Sequence, residues 1–374
     1  MVSDLITNFD YLGYIFLILS GFYFSVLIAV YVGLNRLRTG GKSNRLNSIS
    51  IVIAARNEES RISPCLQSLT RLNYPSEKYE IIFIDDQSSD GTAKLIERYC
   101  EKYNNWQLIR LDKKSRELRG KKNALLHGIE QAKGEVIFTT DADCIIPEGW
   151  LRETVRYFTD GTAMVLGFSP LISQKGVIQR FLQFDNLFSA ISAAAPTKLG
   201  YPFTSVGRNL AYRKDAYENA GGFLALKKFR SGDDVHLTER FRYLNQGFID
   251  YCANSKAFVT THVPDSIKEI FHQQIRKNSK ILKKAGTSIG FSLILFLYYM
   301  LLIIIPIILP HWRLIWLIFL IIKLVVEYID LLKAAKIFNQ KQLIKIIPLM
   351  QIIYPAYIIF FSLLGILDLY NWKK

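Results

Sequence analysis

The chain has 374 residues, half of them hydrophobic, and a formal net charge of +15. Its length predicts two units or more, with ample material for a buried core. Basic residues that flank membrane spans and face anionic lipid account for much of the charge, and no basic-aromatic array indicates a nucleic acid partner. The four cysteines are scattered without Cys-x-x-Cys spacing. This spacing favours ordinary reduced side chains over a disulfide framework or a zinc site.

An apolar run without charges occupies residues 11–32. It matches the roughly 20 residues that a helix needs to cross a bilayer. The basic residues follow this run and do not precede it: Arg36, Arg38, Lys42 and Arg45. A cleaved signal peptide has the opposite arrangement, so we predict an uncleaved transmembrane anchor over residues 1–34. The positive-inside rule then predicts a cytoplasmic location for the domain that follows.

The last third of the chain contains three more candidate spans, at residues 289–309, 312–332 and 343–367. Lysines cluster between the last two, which predicts a cytoplasmic loop and a multi-pass protein of the cell membrane with four spans. Lys323 and Glu327 interrupt the third span. At helical spacing these two side chains can pair, although a re-entrant or interfacial segment is the alternative. We expect residues 289–374 to form a C-terminal membrane domain of about three transmembrane helices.

Between the two apolar ends, β-branched runs alternate with helical patterns. The predicted strands are residues 49–55, 79–84, 106–111 and 135–140. Strands that alternate with helices in this way predict a parallel sheet with right-handed crossovers. The predicted fold class is therefore α/β, with a Rossmann-like parallel or mixed sheet flanked by transmembrane helices.

Two acids follow the last of these strands directly. Asp141 and Asp143 occupy alternate positions, so both side chains can point the same way. Convergent carboxylates suit a hard divalent cation that also binds substrate phosphates, whereas the plain alternative is a solvated loop with unrelated acids. Polar clusters at residues 56–59 and 85–86 end two other strands, where ligands of open α/β sheets bind. This placement favours a metal–diphosphate site. Neither a P-loop nor a Gly-x-Gly-x-x-Gly pattern is present, which disfavours a kinase or a dehydrogenase.

Three later segments each have two interpretations. The aromatic, Ala-rich residues 178–195 could lie in the membrane interface or form a core helix. Asp233 and Asp234 precede an apolar helical stretch and could favour its N-terminus or supply a general base. The basic residues 266–284 form a positive-inside flank, and their cations could also face a diphosphate.

These motifs, in this order and between apolar segments, resemble those of the membrane-bound family 2 glycosyltransferases, which have a GT-A catalytic domain. The resemblance covers residues 49–284. It rests on Ala55-Arg56-Asn57-Glu58-Glu59, Asp85-Asp86-x-Ser88-x-Asp90-Gly91-Thr92, Gly120-Lys121, Asp141-x-Asp143, Gly207-x-Asn209, Gly221-Gly222-Phe223, Gly232-Asp233-Asp234 and Gln273-x-x-Arg276.

The resemblance implies an inverting transferase that moves a sugar from a nucleotide-diphospho-sugar to a lipid or lipid-linked saccharide at the cytoplasmic membrane face, in cell envelope biosynthesis. It implies Mg²⁺ or Mn²⁺ as cofactor, held by Asp143 and Asp141. Asp234 would be the general base, with Asp233 as a second catalytic residue, and Asn209 and Asp233 would contact the acceptor. The implied nucleotide-sugar-binding residues are Ala55, Asn57, Glu58, Asp86, Lys121, Asp141, Gln273 and Arg276.

The same resemblance implies a catalytic domain over residues 35–263 and an interfacial basic helix with the Gln-x-x-Arg motif over residues 264–288. The chain departs from the family pattern at two positions: Asp233 stands where Glu is usual, and Lys277 where Trp is expected. In the family, that Trp helps processive synthases to hold the acceptor. Because Lys277 stands in its place, a processive polysaccharide synthase is the second interpretation of the sequence and not the first. A non-catalytic nucleotide-sugar-binding or scaffold protein is the alternative from another functional class.

Overall fold

The computed structural model describes residues 2–112, 118, 120–172, 176–229, 232–264, 266–283 and 287–366. Its strands are β1 (Ile49–Ala55), β2 (Tyr79–Asp85), β3 (Trp106–Arg110), β4 (Val136–Asp141), β5 (Cys144–Ile145), β6 (Thr162–Gly167), β7 (Leu210–Arg213), β8 (Phe248–Cys252) and β9 (Thr260–Thr261). Its α-helices are α1 (Val2–Arg36), α2 (Ile62–Leu69), α3 (Thr92–Cys100), α4 (Lys121–Gln131), α5 (Trp150–Val155), α6 (Val177–Lys198), α7 (Lys214–Asn219), α8 (Asp233–Tyr243), α9 (Ile267–Lys283), α10 (Thr287–Ile308), α11 (Arg313–Ile337) and α12 (Ile347–Ile366).

One of two compact units comprises Asn35–Gln174 and Asn186–His262. Its seven-stranded sheet has the order β3-β2-β1-β4-β7-β6-β8. Strands β1 to β4 are parallel, whereas β7 runs antiparallel to both of its neighbours, β4 and β6. A short antiparallel sheet pairs β5 with β9. The predicted α/β class with a parallel or mixed sheet is confirmed.

The central strands are buried because helices cover both faces of the sheet. Ile51, Phe83 and Phe138 from three adjacent strands belong to one buried apolar cluster with Trp150 of α5. Such continuous apolar runs are typical of parallel strands. On the other face, α4 approaches so closely at Gly128 that a Cβ there would lie 2.4 Å from Cδ1 of Ile84. This close approach fixes α4 against the strands whose carboxyl ends form the site described below.

The other compact unit comprises Met1–Leu34, Lys175–Asp185 and Val263–Lys374. Within the described part of the chain, three helices are long and apolar enough to span a membrane: Asp10–Arg36, Gly290–Ile308 and Lys341–Gly365. The first part of α6, which the sequence assigned to the catalytic domain, groups with these helices. Spanning by α11 remains a prediction, because this helix carries the buried charged side chains Lys323, Glu327 and Asp330.

The predicted pairing within α11 is confirmed. Nζ of Lys323 lies 2.8 Å from Oε2 of Glu327, one helical turn away. The same carboxylate accepts hydrogen bonds from the hydroxyl of Tyr23 on α1 and, at 3.2 Å, from Nε2 of Gln351 on α12. Buried charges are tolerated when they are paired and hydrogen-bonded. This network therefore explains how charged residues are accommodated inside an apolar helical unit.

Candidate active site

The carboxyl ends of three parallel strands bring the predicted site residues to one edge of the sheet. Ala55 at the end of β1 is in register with Asp85 of β2, and Ala54 is in register with Asp141 of β4. Neighbouring strands lie about 4.8 Å apart, so the loops that follow these strands start side by side. The edge is where open α/β sheets bind ligands.

Hydrogen bonds join the loops after β1 and β2. Asn57 adopts a left-handed conformation with φ of 53°, which Asn tolerates better than most residues. Its Oδ1 accepts a hydrogen bond from the backbone N–H of Ser89 at 2.8 Å. The backbone N–H of Glu58 donates to Oγ1 of Thr92 at 2.8 Å, at the start of α3. These contacts fix Asn57 and Glu58 in place before any ligand arrives.

Asp86 belongs to the same pair of loops. Its backbone N–H donates to the carbonyl of Ala55 at 2.9 Å. Its carboxylate lies 3.7 Å from Nη1 of Arg56, and little of its side chain is exposed. The structure thus brings Ala55, Asn57, Glu58 and Asp86 together, as the sequence predicts.

A cluster that could hold a metal ion lies at the end of β4. Asp141, Asp143 and Cys144 each offer one ligand atom, and these three atoms all lie within 4.8 Å of one another. The two carboxylates are partly exposed, and carboxylate oxygens are the ligands that Mg²⁺ and Mn²⁺ prefer. Asp141 and Asp143 therefore fit the predicted divalent cation.

The sulfur of Cys144 suits such an ion less well. The side chain is buried. Burial and the charge of Asp141 raise the pKa of the Cys144 thiol to about 12, although Arg208 opposes this shift. Because the thiolate is the form that binds metals, Cys144 is a packing residue beside the carboxylates at neutral pH.

Lys121 interacts electrostatically with an acid of β4, Asp141, and with an acid of α8, Asp234. Its ammonium forms an ion pair with the carboxylate of Asp141. Removal from solvent lowers the pKa of the Lys121 ammonium. The negative charges of Asp141 and Asp234 have a larger effect in the opposite direction, so the pKa of Lys121 is raised. Lys121 is therefore a fixed positive charge that acts on both carboxylates.

The second acid pair begins α8. Gly232 precedes the helix in a left-handed conformation with φ of 82°, which glycine adopts without strain. Oδ2 of Asp234 accepts a hydrogen bond from the backbone N–H of Gly207 at 2.8 Å. Oδ1 of Asp233 lies 3.0 Å from Nζ of Lys122. The two neighbouring acids thus have different partners, a buried lysine for Asp233 and a backbone N–H for Asp234.

The part of the chain that carries the joined loops and the β4 acids matches a known family. Residues 50–221 match the family model "Glycosyl transferase family 2". The chain contains a family 2 glycosyltransferase domain. Its curated relatives include glycosyltransferase AglE of Haloferax volcanii, 29% identical over 53% of this chain and 62% of the relative. β-Monoglucosyldiacylglycerol synthase of Synechocystis sp. is 30% identical over 34% of this chain and 26% of the relative. The chain thus spans less than two thirds of either relative.

A solved structure extends the likeness to the whole chain. The mannosyltransferase PcManGT from Pyrobaculum calidifontis, in complex with GDP-Man and Mn²⁺, superposes with a TM-score of 0.60. The match covers 96% of this chain and 99% of that one, at 18% identity. At this identity the likeness establishes the fold, and the GT-A fold predicted for the glycosyltransferase domain is confirmed.

Asn209 has a different environment from the one implied by its predicted contact with an acceptor. Its side chain is buried. Oδ1 accepts from Nε1 of Trp150 at 2.9 Å, and Nδ2 donates to the carbonyls of Phe168 at 2.7 Å and Ala257 at 2.9 Å. Both amide hydrogens are used. This arrangement assigns Asn209 to the framework of the glycosyltransferase domain and not to its acceptor surface.

Gln273 and Arg276 lie on α9, in the unit that contains the apolar helices. The next residue, Lys277, contacts Oδ2 of Asp185 at 2.6 Å, and Tyr354 donates to Oδ1 of the same carboxylate at 2.9 Å. Asp185 of α6 therefore joins α9 to α12 through Lys277 and Tyr354. The nucleotide-sugar contacts of Gln273 and Arg276 remain predictions.

Sequence reasoning missed Lys122, which is buried and pairs with Asp233. A signal was present. Lys122, Leu125, Leu126 and Ile129 recur at helical spacing, which places the lysine on the buried stripe of α4. A lysine on an apolar stripe needs buried acceptors, so this pattern could have directed attention to a partner acid.

The framework role of Asn209 predicts a loss of stability on substitution. Asn209→Ala leaves the indole N–H of Trp150 and two carbonyls without partners, so the free energy of unfolding should fall by about 2–4 kcal/mol. Chemical unfolding in detergent measures this free energy. Asn104→Ala, at an exposed turn, is the matched control and should change the free energy of unfolding by less than about 0.5 kcal/mol. Unchanged stability with lost turnover would support an acceptor contact instead.

Proposed function

We propose that this protein is an inverting glycosyltransferase that moves one sugar from a nucleotide-diphospho-sugar to a lipid or lipid-linked acceptor. One observation carries the proposal: the carboxylates of Asp141 and Asp143 converge at the sheet edge, where Lys121 pairs with Asp141. This arrangement combines a place for a diphosphate-bound cation with a second carboxylate, that of Asp234, which a backbone N–H orients. Inverting transfer by direct displacement needs both and requires no protein nucleophile.

The donor half of the site comprises the β1 and β2 loops and the β4 acids. Glu58 and Asp86 would contact the base or ribose, with Ala55 and Asn57 shaping the same loops. Asp143 would bind Mg²⁺ or Mn²⁺, and Asp141 would contact the ribose or a metal-bound water. A bound divalent ion would offset the negative charge that develops on the leaving diphosphate. The GDP-Man and Mn²⁺ in the structurally similar mannosyltransferase support this assignment.

The chain's own cations would contribute to the same charge balance. Lys121 lies beside Asp141 and would hold the donor phosphates. Gln273 and Arg276 of α9 would be further nucleotide-sugar-binding residues, as the family resemblance implies. Fixed cations aimed at a developing negative charge stabilise the transition state without reorganisation.

Asp234 would be the general base. The acceptor hydroxyl oxygen forms a bond to the anomeric carbon from the face opposite the diphosphate, the bond to the diphosphate oxygen breaks, and the hydroxyl proton passes to the Asp234 carboxylate. The hydrogen bond from the Gly207 N–H orients this carboxylate. Base catalysis of this kind contributes roughly 10²- to 10⁴-fold.

The acceptor would be membrane-borne. Three apolar helices and a relative named as a glucosyldiacylglycerol synthase support a lipid or lipid-linked acceptor. Addition of one sugar is favoured over processive synthesis because Lys277, at the position where the processive enzymes have Trp, forms an ion pair with Asp185. The glycosyltransferase domain would lie on the cytoplasmic side of a multi-pass protein, since basic residues flank the apolar segments on that side.

Metal dependence of nucleotide binding tests the donor site. Asp143→Ala should weaken binding of UDP or GDP in the presence of Mn²⁺ by at least about tenfold and remove the effect of a chelator. Isothermal titration calorimetry measures both quantities. Asp160→Ala, an exposed acid in a turn of the same unit, is the control and should bind like the unmodified protein. Equal affinity with and without chelator in the unmodified protein would contradict the metal assignment.

Substitution of the base tests the chemistry. Asp234→Asn keeps the size of the side chain and an acceptor for the Gly207 N–H but cannot take a proton. Turnover should therefore fall by about 10²-fold or more, while donor affinity stays the same. The assay is release of UDP or GDP from UDP-glucose, UDP-N-acetylglucosamine or GDP-mannose with a lipid extract.

Asp233→Asn is the matched variant, and turnover should fall less than in Asp234→Asn. If Asp233→Asn loses turnover and Asp234→Asn retains it, Asp233 is the base. If the unmodified protein releases nucleotide from none of the donors, the proposed activity is wrong.

Reporter fusions test the orientation. Fusions within residues 35–263 and within residues 333–342 should both report a cytoplasmic location, because lysines and arginines are retained on that side. A signal from the opposite side of the membrane at either place would overturn the four-span topology. A discordant signal confined to fusions near Lys323 would show that α11 does not cross.

A further inference from the structure

Lys122 is a fully enclosed cation next to the candidate active site. It is 3% exposed and occupies the second position of α4. An unpaired ammonium at such a position would titrate to its neutral form or destabilise the fold, because removing the charge from water is costly. The surroundings of Lys122 must therefore satisfy its charge and its hydrogen atoms.

Three acceptors surround the ammonium. Nζ donates to the carbonyl of Phe229 at 2.7 Å and to the carbonyl of Leu226 at 3.0 Å, and Oδ1 of Asp233 lies 3.0 Å away. Two hydrogen bonds to carbonyls and one ion pair with a carboxylate thus surround the buried charge of this lysine.

The three acceptors belong to a single stretch of chain. Leu226 and Phe229 lie just before α8, and Asp233 is the first residue of α8. The next residue, Asp234, is the proposed base. Because Asp234 lies in the same first turn of α8, the position of that turn sets the position of its carboxylate. Lys122 therefore ties α4, packed on the sheet, to the segment that sets where Asp234 lies.

Two successive residues of α4 thus perform different tasks. The Lys121 side chain is partly exposed and pairs with Asp141, whereas Lys122 faces inward and pairs with Asp233. Successive side chains on a helix point about 100° apart, so one short stretch of α4 can reach both acids. Asp233, which stands where the family usually has Glu, is therefore paired with Lys122 inside the protein.

We propose that Lys122 is a positioning residue for the sugar transfer: through Asp233 and the 226–229 carbonyls it fixes the first turn of α8 and so the place of the Asp234 carboxylate. This inference rests on the proposed function for the role of Asp234. Lys122 itself touches neither donor nor acceptor. Its contribution is accordingly to the turnover step and not to nucleotide binding.

Lys122→Met tests the proposal because it keeps the length of the aliphatic chain and removes the ammonium. Turnover of the donor that the unmodified protein uses should fall by about 10- to 100-fold, since displacement of a reacting group by about 1 Å costs rate on that scale. The affinity for UDP or GDP with Mn²⁺ should change less than about twofold. Lys133→Met, at an exposed position just after α4, is the matched control and should change neither quantity.

A double-mutant cycle separates positioning from a general loss of folding. Asp233→Asn alone and Lys122→Met alone should each lower turnover, and the double variant should be no worse than Lys122→Met. The proposal would be overturned if the losses of turnover in the two single variants added up in the double variant. It would also be overturned if the number of nucleotide-binding sites fell by the same factor as turnover.

A measurement that needs no substrate keeps this test independent of the proposed activity. Hydrogen–deuterium exchange of the full chain in detergent should be faster in α8 of Lys122→Met than in the unmodified protein, with β1 and β2 unchanged. The Lys133→Met control should show the unmodified pattern. Unchanged exchange in α8 overturns the proposal, whether or not any donor is turned over. Faster exchange in a protein that turns over no donor shows that the proposed function, and not the Lys122 contact, is at fault.

Discussion

The convergence of three parallel strand ends is the constraint on which the rest of the site depends. The register that pairs Ala54 with Asp141 and Ala55 with Asp85 places acids from the two strands that flank β1 at one edge, where the Asp141 and Asp143 carboxylates also converge. Acids so close together repel one another unless cations accompany them. The structure supplies Lys121 beside Asp141 and Arg56 near Asp86, and a bound divalent ion would supply further positive charge.

The acids at the start of α8 also need partners that balance their charge. Asp233 and Asp234 are adjacent in sequence but are held by different groups, a buried lysine and a backbone N–H. This separation of partners ties Asp233 to the framework, whereas Asp234, the proposed base, is oriented by the loop at Gly207. The buried network around Glu327 follows the same rule, since its charge is matched by Lys323 and by hydrogen bonds from two other helices.

Sequence patterns were sufficient for the features that local periodicity encodes. The β-branched runs predicted the first four strands of the sheet, and the position of acids after those runs predicted their meeting at one edge. The spacing of Lys323 and Glu327 predicted their pairing. The antiparallel direction of β7 was out of reach, because strand direction depends on long-range pairing that no local pattern records.

The buried roles of Asn209 and Lys122 were harder to foresee. Asn209 belongs to a recognised motif and Lys122 directly follows one, positions that suggest contact with a ligand. Both side chains instead contact internal partners distant in sequence, such as Trp150 and Asp233. Motif membership identifies a position that matters but does not say whether it faces the ligand or the framework. Only the burial and the hydrogen-bond partners distinguish the two.

The most direct test of this account is an anomalous diffraction map, recorded at the manganese edge, of the protein crystallised with Mn²⁺ and UDP or GDP. The account predicts a manganese peak in contact with Asp143 and the nucleotide diphosphate, and loss of that peak in Asp143→Ala. A nucleotide bound at the ends of β1 and β2 with no manganese beside Asp143 would contradict it.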